Sequence, residues 1–362
     1  MKTTIDVIDS DTHVDETDAT WEFTLPEDMR HKPTTGFPRK HDPSRPLTRY
    51  WVIDGHRKPR HTRDDVKSGT TVETRELIDV SKRLRDMDRL GIAVQVIYPT
   101  LMLVEPTEHV EAELAITRSY NRWMADRCQQ SGGRLRWVCV PPMSTMDAAL
   151  AEIQFAKENG ACGILKKGDR EAGKWAADPY FFPLYEAAGD LNLPICMHLG
   201  SGVPNHTPIA EFTLGGFMNT ALPVIHGVYS LIQHEIPKKY PKLRIGAIEA
   251  GLSWIPYVEY DLRRREEKRS RAGSPGPDYH TGDSMYKENN IWVSAQIDED
   301  LPYLLPFIGE DNVLAGSDYT HQDAAQELGF VEALEARAAA GEITETCVRK
   351  IIHDNPKAFY GI

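Results

Sequence analysis

The sequence predicts an α/β fold, a (β/α)8 barrel with a long insertion after its first strand. The chain of 362 residues contains eight short apolar runs typical of strands. Amphipathic helical patterns separate most of these runs, and this alternation predicts a parallel sheet. Eight repeats indicate a closed barrel rather than an open sheet. We expect residues 1–362 to form one domain, since one barrel with an insertion accommodates the whole length.

The predicted elements follow one another along the chain in the order that a barrel requires. Strands are expected at residues 5–8, 93–98, 135–140, 162–165, 194–198, 243–248, 291–294 and 312–315. Helices are expected at residues 73–90, 108–130, 146–159, 180–191, 220–239, 254–269 and 300–308, with closing helices at 324–340 and 344–358. Gly91 and Gly160 each precede a strand, which is typical of short loops from helix to strand.

Residues 15–72 do not fit this alternation, and we call them the insertion. A loop of this length within a compact domain is usually functional or disordered. Between Arg30 and Lys67 it carries eleven Lys and Arg against four Asp, a local excess of seven positive charges. We interpret it as a lid over the barrel mouth that attracts an anionic substrate or docks on an acidic subunit. A solvated loop is the alternative interpretation.

Composition limits the classes of partner and location. The 42 basic and 54 acidic residues give a net charge of −12, which argues against nucleic acid or an anionic membrane as the main partner. No long apolar run and no apolar leader is present, so we expect no membrane span, no signal peptide and a cytoplasmic location. Five cysteines without Cys-x-x-Cys spacing disfavour a disulfide framework and a zinc knuckle.

Polar side chains follow four of the predicted strands, and barrel enzymes place their catalytic groups at such strand ends. They are Asp11, His13, His198, Glu249 and Asp318. Asp11 and His13 are two residues apart, so both point to the same side of an extended chain. Two imidazoles and three carboxylates converging on one spot predict a metal centre. The alternative is that each side chain only caps its strand or pairs with an arginine of the insertion.

The motifs around these residues resemble the amidohydrolase superfamily. They are Asp-x-His after the first strand, His-Leu-Gly after the fifth, Tyr-Pro-Lys-Leu-Arg before the sixth and Gly-Ser-Asp-Tyr-Thr-His after the eighth. The branch that they resemble most contains aminocarboxymuconate-semialdehyde decarboxylase and the resorcylate and carboxyvanillate decarboxylases. The resemblance extends from residue 5 to residue 360 and implies a metal ion at the barrel mouth.

Two positions depart from the pattern of this branch. Asp11-Thr12-His13 stands where members often have His-x-His or a Glu-x-His-like pair, and Glu249 stands where the decarboxylases usually carry a proton-transferring histidine. An added carboxylate favours iron or manganese over zinc and can bridge two ions. A Glu-x-Gly-x-x-Trp pattern is similar to that of dinuclear non-haem hydroxylases. The favoured hypothesis is therefore a dinuclear Fe or Mn/Fe oxygenase that hydroxylates a small, carboxylated substrate.

Other side chains complete the predicted site. His226 is a candidate for a further metal ligand, as is His206 with less support, and either is otherwise a surface or packing histidine. We assign catalytic roles to Asp318, Glu249 and His321, the last in support of a ligand or of the substrate. Substrate contacts are expected from three further residues, with exposed-lysine and core-aromatic alternatives: Lys166, Trp254 and Tyr319.

Two other functions remain open at this point. One is a mononuclear Zn²⁺- or Mn²⁺-dependent hydrolase or non-oxidative decarboxylase of a carboxylated substrate, with Asp318 as the base. The other is a non-catalytic, metal-binding partner subunit. The resemblance also implies a homo- or hetero-oligomer, because barrels of this branch are commonly dimers or larger.

Overall fold

The computed structural model describes residues 5–38, 49–60, 62–200, 217–218, 220–273, 279 and 284–362. Eight parallel strands form one sheet, and an antiparallel sheet of three strands lies in the insertion. In chain order the strands are β1 Val7–Val14, β2 Thr34–Gly36, β3 Arg49–Ile53, β4 His56–Arg60, β5 Ile92–Pro99, β6 Leu135–Cys139, β7 Ala161–Leu165, β8 Ile195–His198, β9 Ile245–Ile248, β10 Ile291–Ser294 and β11 Val313–Leu314.

The parallel sheet closes into a barrel. Its strand order is β1-β5-β6-β7-β8-β9-β10-β11, so the strands follow their order in the chain. The Ser10 amide donates to the Ala315 carbonyl over 3.2 Å, and Thr12 pairs with Tyr319, which joins β1 to the segment after β11. This arrangement confirms the predicted (β/α)8 barrel, and each of the eight predicted strands overlaps one in the structure.

Helices surround the barrel. The α-helices of the described residues are Asp65–Ser68, Val72–Arg75, Val80–Leu90, Val110–Gln129, Met146–Glu158, Phe182–Asp190, Ala221–Gln233, Ile236–Lys239, Ile255–Arg271, Met285–Glu288, Leu301–Ile308, Phe330–Ala339, Glu345–Arg349 and Asn355–Tyr360. The helix expected at 73–90 is divided, because Leu77 has a left-handed φ of 47° and Asp79 caps a new helix by accepting the Ser81 amide. The helix expected at 220–239 is likewise divided at Glu235, with φ of 56°.

The strands are apolar on both faces because the barrel interior and the surrounding helices both cover them. Ile164, Ile195 and Ile245 lie in three successive strands, and all three are fully buried. Continuous apolar runs are the usual pattern of strands in parallel sheets that are buried in this way. The predicted ligands of β1 and β8 lie in the carboxyl halves of these strands, where the site lies.

The insertion packs beside loops at the carboxyl end of the barrel. β2, β3 and β4 form its antiparallel sheet, and Trp51 of β3 packs against Trp21 with ring centroids 5.7 Å apart. The Asp64 amide donates to Gln322, in the loop after β11, over 2.9 Å. Lys58 approaches the carbonyl of Glu105, in the loop after β5, at 3.5 Å. The insertion thus lies at the end of the barrel that carries the polar cluster.

Part of the positive charge of the insertion is paired. Arg63 lies 2.5 Å from Asp15, and Arg60 lies 3.8 Å from Asp18. Arg49 lies 4.0 Å from Glu76. These acidic partners lie outside the window from residue 30 to residue 67. The ion pairs therefore offset part of the excess positive charge that was counted within the window. Three further cations of that window lie outside the described residues: Arg39, Lys40 and Arg45.

All five cysteines are buried and unpaired. Burial raises the pKa of the Cys139 thiol well above its ordinary value, so this side chain acts as a small apolar group. Within the described ranges, no helix is both long enough and apolar enough to cross a membrane.

Candidate metal centre

The carboxyl ends of four barrel strands bring the five predicted ligands together. Asp11 and His13 belong to β1, and His198 is the last residue of β8. Glu249 directly follows β9, and Asp318 lies four residues after β11. Each of these side chains is at least 94% buried. The cluster is therefore held by the barrel rather than by a flexible loop.

The ligand atoms lie within a few ångströms of one another. His198 Nε2 is 3.1 Å from Asp11 Oδ1, 3.1 Å from His13 Nε2 and 3.5 Å from Glu249 Oε2. His13 Nε2 is 3.4 Å from both Asp11 Oδ1 and Asp318 Oδ1. Two overlapping sets of four side chains can each hold a cation: Asp11, His13, His198 and Glu249, or His13, Glu249, Asp318 and His321.

Backbone carbonyls set the orientation of both imidazoles. His13 Nδ1 lies 2.9 Å from the Pro99 carbonyl, and His198 Nδ1 lies 2.9 Å from the Leu199 carbonyl. A carbonyl can only accept, so each Nδ1 carries the hydrogen and donates it. Both Nε2 atoms then face the cluster, where His198 can offer a lone pair once the proton that Asp11 favours has left. This arrangement is typical of metal-binding histidines.

The carboxylates are too crowded to be ionised together without a cation. Burial raises the pKa of Glu249 to about 8 despite the adjacent His198. Burial, with the charges of Glu249 and Asp11, raises the pKa of Asp318 well above its ordinary value. Burial opposes a proton on His198, but Asp11 outweighs it and raises the pKa of His198 to about 9. A bound divalent cation would supply the positive charge that these groups require.

The donor chemistry fits such a cation. Glu249 Oε1 is buried and makes no hydrogen bond to the rest of the described chain. A buried carboxylate oxygen of this kind normally has a partner. Two imidazole nitrogens with carboxylate oxygens suit Mn²⁺, Fe²⁺ or Zn²⁺. The residues present therefore fit a divalent metal.

The backbone at the site is constrained. Glu249 and Asp318 have left-handed φ values of 61° and 48°, which non-glycine residues adopt rarely. Glu299 holds the loop after Glu249, since its carboxylate accepts the amides of Leu252 and Ser253 at 2.8 Å. A Cβ atom at Gly316 would lie 2.6 Å from the Asp11 amide nitrogen, so only glycine allows this approach.

His321 adjoins the cluster as the sequence predicts. Its Nδ1 lies 2.8 Å from Asp318 Oδ1, and its Nε2 lies 3.2 Å from the Thr100 hydroxyl. Its ring stacks on His13 with centroids 3.7 Å apart and an angle of 20°. His321 therefore contacts two of the predicted ligands, His13 and Asp318.

The structure does not bring four other predicted residues into the cluster. His226 is exposed and packs against Trp175, with ring centroids 5.0 Å apart. Lys166 is buried 2.7 Å from Glu171. Tyr319 donates its hydroxyl to Thr74 over 2.8 Å. Trp254 is half-buried in the loop after β9. A fifth candidate, His206, lies outside the described residues.

A buried network behind the cluster escaped the sequence interpretation. Arg83 donates to Gln95 over 2.7 Å, and Gln95 donates to Asp9 over 3.2 Å. Asp9 accepts the Ser317 amide over 2.8 Å, next to Asp318. One sequence signal could have located Arg83, because Val80, Arg83 and Met87 share the spacing of a buried helix face.

Comparison with known proteins places the chain in a family. A model of the amidohydrolase family matches residues 8–362. The chain belongs to this family. A 2-amino-3-carboxymuconate-6-semialdehyde decarboxylase of Dictyostelium discoideum is 20% identical over 290 residues, which cover 78% of this chain and 77% of the relative.

Two solved structures of family members share the fold. An amidohydrolase of Mycobacterium avium subsp. paratuberculosis K-10 has a TM-score of 0.79 at 20% identity and covers 99% of this chain and 100% of its own. A 5-carboxyvanillate decarboxylase of Novosphingobium aromaticivorans, in complex with manganese and 4-hydroxy-3-methoxy-5-nitrobenzoic acid, has a TM-score of 0.65 at 21% identity. That match covers 80% of this chain and 82% of the neighbour.

The prediction of a dinuclear oxygenase is wrong. The relatives that carry a named activity here are decarboxylases, not oxygenases, and the solved one contains manganese. The prediction rested on Glu249, but a further carboxylate ligand suits Mn²⁺ whether or not oxygen is activated. Of the functions left open by the sequence, the decarboxylase fits the comparisons better.

Replacing Glu249 with glutamine is expected to weaken Mn²⁺ binding roughly 10-fold. Glutamine keeps an oxygen donor but removes the negative charge that a hard cation prefers. Metal content after dialysis against limiting Mn²⁺ measures the effect. Glu186→Gln, at an exposed position, is the matched control. Equal occupancy in both variants would remove Glu249 from the ligand set.

Proposed function

We propose that the protein is a metal-dependent non-oxidative decarboxylase of a small carboxylated aromatic substrate. The observation that carries the proposal is the position of Asp318. Its buried carboxyl, with a raised pKa, adjoins side chains from other strands that could hold a metal ion. Decarboxylation needs a site for the carboxylate and a proton for the carbon that loses it. The named activities of the relatives support the same choice.

One divalent ion, Mn²⁺, is the proposed cofactor. Asp11, His13, His198 and Glu249 would hold it, because these four form one compact set and leave Asp318 outside it. When bound, the ion supplies a Lewis acid that binds and polarises substrate oxygens. Binding Mn²⁺ would also displace the proton that Asp11 favours on His198.

Asp318 is the proposed proton donor. When the bond between carbon and carboxylate breaks, CO₂ leaves and the electron pair stays on the substrate carbon. That carbon takes the proton of the Asp318 carboxyl, which becomes a carboxylate and regains a proton from solvent. No electron is gained or lost overall. Burial favours the protonated form of the Asp318 carboxyl before this step.

His321 is proposed to position Asp318. The ring is fixed on three sides, by Asp318 at 2.8 Å, by Thr100 at 3.2 Å and by stacking on His13. This leaves the Asp318 carboxyl little rotational freedom. The insertion, residues 15–72, is proposed as the lid that keeps water from the mouth while the carbanion exists.

The proposal is tested by CO₂ release from hydroxybenzoates and benzene dicarboxylates with Mn²⁺-loaded protein. We expect release without O₂, because no oxidation occurs. In D₂O, the product should carry one deuterium at the former carboxylate position. Hydrolysis of amide or ester substrates with no CO₂ from any acid would overturn the proposal in favour of a hydrolase.

A further inference from the structure

Three consecutive residues, Pro99, Thr100 and Leu101, lead from the end of β5 into the loop beside the metal cluster. The Pro99 carbonyl accepts a hydrogen bond from His13 Nδ1 over 2.9 Å. The Thr100 hydroxyl lies 3.2 Å from His321 Nε2. A hydroxyl can donate to an imidazole nitrogen or accept from it, so this contact suits either tautomer of His321. The segment therefore contacts the site at two places.

The carboxylate of Glu16 holds this segment by its backbone. Its Oε1 atom accepts the Thr100 amide over 3.0 Å, and its Oε2 atom accepts the Leu101 amide over 2.9 Å. Glu16 is 4% exposed, so water competes little for these two amides. Each oxygen of one carboxylate thus binds one of two consecutive amides, and together they set the position and the orientation of Thr100.

Glu16 itself lies between two anchored residues at the start of the insertion. Before it, the Asp15 amide donates to the Arg75 carbonyl over 3.0 Å. After it, the Thr17 hydroxyl accepts the Ala19 amide over 3.2 Å. The backbone on both sides of Glu16 is therefore fixed, which gives its carboxylate a defined place from which to hold the loop after β5.

Glu16 matters more for Thr100 than for Pro99. Pro99 pairs with Val14 in the ladder between β1 and β5, so the barrel already holds its carbonyl in place. Thr100 is the first residue beyond β5, and its amide is bound by Glu16. Loss of the Glu16 carboxylate would therefore disturb the contact with His321 and leave the proposed metal ligands where they are.

We propose that Glu16 is a positioning residue for proton transfer, because it holds Thr100 and thereby the ring of His321. The inference rests on the proposed function in assigning the proton to Asp318, whose Oδ1 lies 2.8 Å from His321 Nδ1. A small misplacement of a reacting group removes a large part of the rate, so Glu16 can affect kcat without contacting the substrate. The start of the insertion is thus linked to the proton donor.

The test compares Glu16→Gln with the wild-type protein, both loaded with Mn²⁺. Glutamine has the shape of glutamate but only one oxygen, so one of the two amides loses its acceptor and meets an N–H group instead. Burial raises the pKa of Glu16 to about 7, so kcat is measured at about pH 8, where the carboxylate prevails. We expect kcat for CO₂ release to fall roughly 10-fold, with KM and Mn²⁺ content within about 2-fold of wild type.

Thr100→Val tests whether Glu16 acts through Thr100. Valine keeps the shape of threonine without the hydroxyl, so kcat should again fall roughly 10-fold. Adding Glu16→Gln to this variant should lower kcat by less than about 2-fold further, since both changes break the same chain of contacts. Glu113→Gln is the matched control, because this buried glutamate accepts the Ser144 amide in the loop after β6 over 3.1 Å. It should leave kcat unchanged.

A second measurement needs no turnover. In Zn²⁺-loaded protein with ¹⁵N-labelled histidine, the ring signals of His321 are identified by NMR from their absence in His321→Phe. They should shift in Glu16→Gln and in Thr100→Val, and they should stay in place in Glu113→Gln. If Glu16→Gln does not fold, Glu16→Asp provides the same comparison, because its carboxylate ends one methylene short of the amides.

Three results would overturn the inference. They are His321 signals that stay in place when Glu16 is replaced, kcat losses that multiply in the double variant, and a loss of Mn²⁺ in Glu16→Gln that accounts for its kcat. If the signals shift as expected but the wild-type protein releases CO₂ from no acid, only the proposed reaction fails.

Discussion

The Asp318→Asn variant is expected to release CO₂ with a kcat roughly 10³-fold below that of the wild-type protein. The amide cannot donate a carboxyl proton to the substrate carbon, and general acid catalysis typically contributes about 10² to 10⁴ in rate. Asparagine has nearly the same shape, so the fold and the stacked His321 should persist. Steady-state kcat with saturating Mn²⁺ and substrate measures the effect.

The Mn²⁺ content of Asp318→Asn decides how its loss of kcat is interpreted. If Asp318 acts mainly as the acid, Asp318→Asn keeps most of its Mn²⁺, because Asp11, His13, His198 and Glu249 form a complete set without it. A variant that loses both its metal and its activity would contradict the proton-donor role and make Asp318 a ligand. His226→Gln is the control, because this exposed imidazole lies outside both ligand sets.

Sequence reasoning predicted the barrel because its strongest signals are local. Strands buried on both faces read as short apolar runs, and helices between them read as amphipathic segments. The metal cluster followed from one rule of the fold, since parallel strands present their carboxyl ends at one edge. Asp11, His198 and Glu249 are far apart in the chain but needed only that rule.

The side on which a residue lies was harder to predict. Lys166 was expected to contact the substrate, but its ammonium lies 2.7 Å from Glu171. Tyr319 follows Asp318 directly, yet its hydroxyl binds Thr74. His226 lies on a helix whose orientation depends on packing across the barrel surface. None of these outcomes is encoded in local periodicity.

The reaction was hardest to predict, because a donor set does not specify a substrate. Carboxylates and imidazoles hold similar ions in enzymes that activate oxygen and in enzymes that do not. The prediction of an oxygenase therefore relied on Glu249 more than a single ligand justifies.

Replacing Arg83 with methionine is expected to weaken Mn²⁺ binding about 10- to 100-fold, although Arg83 contacts no proposed ligand side chain. Its guanidinium donates to the backbone carbonyl of His13 and to the Thr320 hydroxyl, each over 3.3 Å. Thr320 in turn donates to the same carbonyl over 2.7 Å. Hydrogen bonds that orient metal ligands typically account for effects of about this size.

The same variant should also be less stable by about 3 kcal/mol, because several buried acceptors lose a donor. A stability loss alone would suit a purely structural role, so the deciding measurement is the Mn²⁺ dissociation constant of folded protein. Arg134→Met is the matched control. Arg134 binds the carbonyls of Ile92 and Ala93 at the opposite end of β5, over 2.8 and 3.1 Å. It should lower stability without changing Mn²⁺ affinity.

Arg83→Lys separates charge from geometry. Lysine keeps the positive charge in the network, but its single nitrogen cannot serve Gln95, His13 and Thr320 as the guanidinium does. If orientation of the β1 backbone is what matters, the lysine variant should bind Mn²⁺ nearly as weakly as the methionine variant. Wild-type affinity in Arg83→Lys would show that only the buried charge is needed, and equal affinity in Arg83→Met and Arg134→Met would exclude a positioning role.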